Sequence, residues 1–259
     1  MIKETVRIKM EKEDILTASF YDDPEVVKSY NDIRYSSKGG KICDKRQMES
    51  FFNVVNNVKG KKILEIGCGV GRFTKLLSER GADVTGVDTS KNMIDYCKKN
   101  DKKGTYLVAN ALELPFKDKS FDIVYSISVF NHLKSYETAI SELARVSRDK
   151  VILGFPNKVS LLSIAYLYRW VRHGNLKYST SDTKKGKRHQ PYGIYFSIGQ
   201  MKKLLRKNNL QNLGYDSSLM FNPLWMPNLF PNFFYRMDKI MSKILRPFMT
   251  HIILYGYKK

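Results

Sequence analysis

The feature that most narrows the fold is a short apolar run, residues 61–66. It ends in Gly67-Cys68-Gly69-Val70-Gly71 and passes directly into a helix-forming segment at 72–80. Glycines so placed let the backbone turn tightly and approach a ligand closely, at the N-terminus of the helix that follows. The same unit recurs in kind along the chain. Residues 84–87 read as a strand, and 90–99 as a helix that Ser90 can cap. A third strand is expected at 105–109, a fourth at 121–126 with a helix at 136–146, and a fifth at 151–155. A helix at 46–58 precedes the unit, with Met48, Phe51, Phe52, Val55 and Val58 at helical spacing. Short apolar runs alternating with helices imply an α/β fold, a mostly parallel, doubly wound sheet covered on both faces.

After Pro156 the rhythm breaks. An insertion at 158–195 holds an apolar helix (161–171) and a basic, polar stretch (178–190). A helix resumes at 197–207 and a sixth strand at 214–221. A second insertion, 222–247, is rich in Pro, Phe and Met, and a seventh strand closes the chain at 250–257. The expected organisation is an N-terminal lid segment at 1–45 and one domain at 46–259 that carries both insertions. The apolar stretch 161–170 is broken by Arg169 and too short to span a bilayer. Met1-Ile2-Lys3-Glu4 opens no signal-peptide core. Cys43, Cys68 and Cys97 are too scattered for a disulfide framework. A cytoplasmic protein without a metal is expected.

Spacing discriminates among ligands for the glycine loop. A dinucleotide fingerprint needs G-x-G-x-x-G, and Arg72 stands where its third glycine would be. No lysine follows the loop as a triphosphate site requires. Asp88 ends the second strand, 21 residues after Gly67, where a carboxylate can accept both hydroxyls of a ribose. The combination points to a nucleoside without a pyrophosphate.

Residues 63–72, Ile-Leu-Glu-Ile-Gly-Cys-Gly-Val-Gly-Arg, resemble motif I of the class I (Rossmann-like) S-adenosylmethionine-dependent methyltransferases, in their small-molecule and lipid-type branch. Residues 84–90 are similar to the second motif of that family, 110–116 to its adenine-framing segment, and 121–133 to its fourth-strand motif. The resemblance implies a seven-stranded sheet with an antiparallel last strand, an N-terminal helical lid and insertions after strands 5 and 6. It implies S-adenosyl-L-methionine as cofactor, with S-adenosyl-L-homocysteine as product. Gly67, Cys68, Gly69 and Gly71 would pass under the ribose and amino-acid moiety. Glu65 would orient the loop and approach the ammonium, and Asp88 would bind the ribose with Thr89 and Met93 nearby. Asn110, Ala111 and Leu112 would frame adenine, the Asn110 side chain reaching its exocyclic amine. Ser126 and Ile127 would border the methionine chain, with Tyr30 and Arg34 as lid residues over the cofactor.

The methyl acceptor is less legible. His132, just past the fourth strand, is the candidate general base; His189 and Tyr192 in the first insertion, and Trp225 and Phe230 in the second, are candidates for the acceptor region. Residues 126–129 are not the N/D-P-P-Y/F type used for exocyclic amines, and no Pro-Cys motif supplies a nucleophile for cytosine. Charge is uneven: residues 156–259 carry 18 Lys/Arg against 3 Asp/Glu, most of the chain's net +20. Met237, Ile240, Met241, Ile244 and Leu245 recur at helical spacing, interleaved with Arg236, Lys239, Lys243 and Arg246. Two roles are open to this amphipathic stretch: packing on the rest of the fold, or meeting an anionic membrane surface. The expected acceptor is a small molecule, a lipid or a lipid-linked group, with peripheral association at the inner membrane surface. An RNA acceptor tracked by Lys184, Lys185, Lys187 and Arg188 is the rival. A non-catalytic cofactor-binding protein is a third reading. The sequence does not set the oligomeric state.

Overall fold

A computed structural model describes residues 21–160, 194–218 and 230–259. The helix expected at 161–171, the basic stretch 178–190, and the candidates His189, Tyr192 and Trp225 lie outside the described residues, as does the side chain of Arg34.

Two helices open the described chain, α1 (Pro24–Tyr35) and α2 (Lys38–Val55). Asp23 starts α1 by accepting the Glu25 N–H at 2.8 Å, and Pro24 follows where no intrahelical N–H is needed. Ser37 caps α2 through the Gly40 N–H at 3.0 Å. Apolar periodicity marks a helix only from residue 46, because Gly39 and Gly40 are poor helix formers in isolation. Both are buried, so the cap and tertiary packing carry the helix through them. The lid boundary expected at residue 45 therefore falls inside α2.

The sheet follows as β1 (Lys62–Ile66), α3 (Arg72–Glu79), β2 (Asp83–Asp88), α4 (Lys91–Asn100), β3 (Thr105–Val108), β4 (Phe121–Ile127), α5 (Tyr136–Val146) and β5 (Ser147–Pro156). The C-terminal part adds α6 (Ile198–Lys207), β6 (Leu210–Ser218), α7 (Pro231–Ile244) and β7 (His251–Lys258). The seven strands lie in the order β3-β2-β1-β4-β5-β7-β6. Neighbours among β1 to β5 pair in parallel, while β7 is antiparallel to both β5 and β6. This is the expected seven-stranded, mostly parallel sheet with an antiparallel last strand. β6 begins at Leu210, earlier than its apolar pattern suggests, because the register shifts between Gln211 and Gly214 and Asn212 takes a positive φ.

Central strands are apolar without interruption because both faces are covered. On one face Ile63, Val84, Ile123, Tyr125 and Ile152 pack under Phe51 and Val55 of α2 and Phe73 and Leu77 of α3. On the other, Leu64, Val124, Val151 and Leu254 pack under Ile140 and Leu143 of α5 and Met201 and Leu205 of α6. Strand order reverses between β1 and β4, so loops leaving these two strands diverge and open a crevice at the carboxyl edge. β6 runs with the parallel strands, so its end at Ser218 and the start of β7 at His251 lie on that same edge.

Helix α7 docks on α2 through polar groups. Arg46 and Asp238 form a buried ion pair, Arg46 also reaches Glu49 at 2.5 Å and Ser242 Oγ at 3.2 Å, and Tyr235 donates to Glu49 at 2.5 Å. The apolar stripe is split: Ile240 and Ile244 are 58% and 73% exposed, while Met237, Met241 and Leu245 are half-buried. A buried ion pair gains little over an apolar pair of similar volume, but losing one partner strands a charge in a low-dielectric setting. Arg46→Ala is therefore expected to lower the free energy of urea unfolding by about 3–5 kcal/mol. Replacing both partners, Arg46→Met with Asp238→Leu, is expected to recover most of that loss in the same measurement.

Candidate functional site

The loop between β1 and α3 is held from below. The N–H groups of Gly67 and Cys68 both donate to the Val87 carbonyl, at 2.7 and 3.0 Å, and Gly71 N–H closes onto Cys68 O at 2.9 Å. Gly67, Gly69 and Gly71 all have positive φ. Their surroundings differ. A Cβ on Gly67 would lie 2.3 Å from Val129 Cγ2, whereas a Cβ on Gly69 would meet no atom within 4 Å. Gly67 is thus required by the protein's own packing, and Gly69 only by its backbone conformation and by whatever rests on the loop.

Asp88 closes one side. Its carboxylate accepts Gly69 N–H and Ser90 N–H, each at 2.9 Å, so the end of β2 is tied to the loop of β1. Burial raises its pKa, and the backbone N–H groups of Ser90, Gly69 and Thr89 pull it back. Ser90 caps α4 by accepting the Met93 N–H at 3.1 Å and donates its own hydroxyl to Asp22 at 2.7 Å. Asn92 adds a bond to Asp22 O at 2.6 Å. These bonds pin the N-terminal segment across the end of β2. Tyr21 then stands 6.4 Å from the Tyr30 ring and 5.7 Å, edge-on, from the His132 ring. Tyr21 lies in the expected N-terminal lid segment, and the Asp22 contact brings it to the rim.

Other expected residues are brought to the same edge, several with their polar atoms already engaged. Buried Glu65 accepts the Thr74 N–H at 3.0 Å and the Thr74 hydroxyl, which ties β1 to α3. Burial pushes its carboxyl up to about 7, against the downward pull of Thr74. Asn110 folds back so that its Oδ1 accepts the Leu112 N–H at 3.0 Å, and Ala111 is buried beside it. Ser126 is fully buried and donates to Ile66 O at 2.8 Å, stitching β4 to β1, while Ile127 stands over Gly154. Met93 is buried in the core under α4. His132 ends a single 3₁₀ turn, Phe130–His132, with its Nε2 3.1 Å from Asn131 Nδ2. Phe230, at the start of α7, is 64% exposed.

A second polar cluster was not legible in sequence. His251, the first residue of β7, is buried, with Nε2 3.1 Å from Gln47 Nε2 and 3.3 Å from Ser128 Oγ. Gln47 accepts from Arg72, which pairs with Asp44 and lies 4.5 Å over the Tyr35 ring. Ser128 has a φ of 58°, uncommon for a residue with a side chain, and its neighbour Val129 is the residue packed on Gly67. Burial, with the Arg72 charge, pulls the His251 imidazole down to about 3, so it is neutral at ordinary pH. His251 Nδ1 and the hydroxyls of Ser217 and Ser218 meet no hydrogen-bond partner among the described residues. Nothing in the local sequence marks this histidine. It is found only once β7 pairs with Pro156 and Ser218.

Residues 64–155 match the family model described as "Methyltransferase domain". Over this stretch the chain is similar to that family. Among curated relatives, the chain is 29% identical over 136 residues to an O-methyltransferase of Aspergillus nomiae, covering 50% of this chain and 56% of that one. It is 36% identical over 102 residues to a malonyl-[acyl-carrier protein] O-methyltransferase of Buchnera aphidicola, covering 39% and 38%. The chain thus spans roughly half or less of the length of these relatives. A crystal structure from Thermotoga maritima, titled a SAM-dependent methyltransferase and possible histamine N-methyltransferase, shares the fold with a TM-score of 0.62 at 18% identity. It covers 93% of this chain and 100% of that one. The matched segment holds Glu65, the glycine loop, Asp88, Asn110 and His132, while α1, α2 and the C-terminal insertions lie outside it. Among the described residues no cluster of side chains could hold a metal ion.

The glycines separate by experiment. Gly67→Ala is expected to lower stability by about 1–3 kcal/mol through overpacking against Val129, seen as a reduced urea midpoint. Gly69→Ala should cost only the conformational penalty, about 1 kcal/mol. His251 gives a pH signature. Its folded pKa lies below the unfolded value, so the unfolded chain binds the extra proton and stability falls as pH drops below about 6.5. Between pH 7 and 5 this amounts to about 2 kcal/mol. Glu65 acts with the opposite sign, its raised pKa removing stability as pH rises from about 4.5 through 7. Comparison of wild type with His251→Gln isolates the histidine: the variant should lack the acid-side loss.

Proposed function

We propose that the chain is an S-adenosylmethionine-dependent methyltransferase acting on a small-molecule acceptor. One observation carries the reading. At the reversal of strand order, three positive-φ glycines form the loop after β1, and the middle one, Gly69, donates its N–H to the Asp88 carboxylate while staying clear of any protein atom that would obstruct an added Cβ. The residues present fit S-adenosylmethionine: a backbone a ligand can lie on, an acceptor for ribose hydroxyls, and no built-in phosphate cation. The Thermotoga maritima protein of the same fold is described as a SAM-dependent methyltransferase, and both curated relatives are named O-methyltransferases.

In this reading the cofactor, when bound, would supply an electrophilic methyl group carried on a sulfonium. The protein supplies alignment and exclusion of water. Gly67, Cys68, Gly69 and Gly71 present backbone, and the Asp88 carboxylate, held by backbone N–H groups, keeps acceptor capacity for a ribose hydroxyl. Asn110, Ala111 and Leu112 line the base side, with Thr89 and Met93 near Asp88 at the ribose. Because Asn110 Oδ1 is engaged by Leu112, its contribution is to shape that segment as well as to face the amine. Glu65 sets the loop through Thr74, and Ser126 and Ile127 shape the far wall. Tyr30, with Tyr21 beside it, covers the site, and Arg34 is proposed as the second lid residue. His132, on the rim beside Tyr21, takes the proton when the acceptor arrives protonated. The metal-free chemistry and the lipid-type acceptor are part of the same proposal.

Calorimetry with S-adenosylhomocysteine, followed by transfer of labelled methyl to small-molecule and lipid extracts, tests it. Wild type should bind, and Asp88→Ala should bind roughly ten- to hundred-fold more weakly, the scale of a hydrogen bond to a charged group. No binding by the wild-type chain, or unchanged affinity in the variant, would remove the assignment. Methyl transfer to RNA in place of the extracts would move the acceptor to the rival class.

A further inference from the structure

Helix α7 is amphipathic in an uncommon sense. Placed around its axis, its residues fall into three bands. Phe234, Asp238 and Ser242 are buried against the protein. Next to them lie Phe230, Phe233, Ile240 and Ile244, which are 64%, 62%, 58% and 73% exposed, with half-buried Met237 among them. Beyond these come Arg236, Lys239 and Lys243, all exposed. The helix has one acidic residue, Asp238, which is buried and paired with Arg46. The basic band continues onto α2, where Lys45 and Lys239 share the Tyr235 ring at 4.4 and 5.6 Å and Lys38 and Lys41 are exposed on the same stripe.

We propose that this face of α7 docks on an anionic lipid bilayer. This goes beyond the methyltransferase reading and does not depend on it. Charge decides the occupant. An apolar row flanked by exposed cations matches a surface that is apolar at depth and negative at its headgroups. A second copy of a chain with net charge +20 would set like charges against each other. RNA would engage the cations but leave the aliphatic Ile240 and Ile244 in water. The buried ion pair fixes the helix in this orientation, so the apolar row faces outward. The helix also sits between the end of β6 and the start of β7, both on the edge that carries the glycine loop and Asp88. Docking there would place that edge towards the membrane, where a lipid-like acceptor resides.

The test uses the full chain with vesicles of equimolar phosphatidylglycerol and phosphatidylcholine, compared with pure phosphatidylcholine, in a flotation assay. Binding is expected to the anionic vesicles and to fall as salt is raised. Each exposed cation near such a surface contributes about a five-fold factor, so Lys239→Glu with Lys243→Glu should weaken binding at least about ten-fold. Ile240→Asn with Ile244→Asn should weaken it comparably, and both variants should keep the wild-type unfolding midpoint, since all four positions are exposed. The proposal is overturned if wild type leaves anionic vesicles unbound, or if either variant binds as wild type does. It is equally overturned by concentration-dependent self-association that the Ile240→Asn, Ile244→Asn variant abolishes, or RNA binding that only the lysine variant abolishes, when either occurs without vesicle binding. Retained S-adenosylhomocysteine binding in the same variants separates this outcome from any failure of the enzymatic reading.

Discussion

One backbone acceptor organises the carboxyl edge of the sheet. The Val87 carbonyl takes two N–H groups, from Gly67 and from Cys68, and so fixes the end of β1's loop to the end of β2. Only a left-handed backbone at Gly67 allows the turn, and only the absence of a Cβ there lets Val129 close from β4. Asp88, one residue beyond Val87, is then within 2.9 Å of Gly69. Three strands that reverse order in the sheet are thereby brought into one rigid corner, and the rest of the molecule is arranged around it. Below lie the two apolar layers that cover the sheet. Above lie α1, the Phe130–His132 turn and the strand ends of the C-terminal half.

Polar side chains extend this corner sideways. From Asp44 through Arg72, Gln47 and His251 to Ser128, each group meets the next by hydrogen bond or ion pair, and the run ends one residue from Val129. It joins α2, α3, β7 and the loop after β4, elements far apart in the chain. The strained backbone at Ser128 is held by its N–H on Gly154 O at 2.7 Å and by the contact of its hydroxyl with His251. Substitutions in α2 or at the start of β7 can thus act on the glycine loop without touching it.

The sequence was informative where local chemistry and tertiary structure agree. The strand β1, the loop after it and Asp88 are readable because their residue types answer a requirement at fixed spacing. The helix from residue 38 was not, since Gly39 and Gly40 oppose it locally and are overruled by a cap and by burial. His251 was unreadable for a different reason: its environment is assembled from Gln47, Ser128 and β6, and no spacing encodes that meeting. The stripe on α7 was visible, but whether it faces in or out was decided by Arg46, 192 residues from its partner Asp238. Residue types specify a site when the chain supplies it locally, and they leave it open when the sheet does.

Ser90 has two tasks that use different parts of one hydroxyl. Its lone pair receives the Met93 N–H and begins α4, while its proton goes to Asp22 on the N-terminal segment. The two bonds are therefore separable. Lifting the segment away breaks the Asp22 contacts of Ser90 and Asn92 but leaves the helix start intact, with Asp88 still held by Gly69 and Ser90 N–H. Entry and exit at this edge need not melt any of the surface they pass over. The latch and the floor share a residue without sharing a bond, so a change at Asp22 can loosen the segment while leaving the start of α4 as it is.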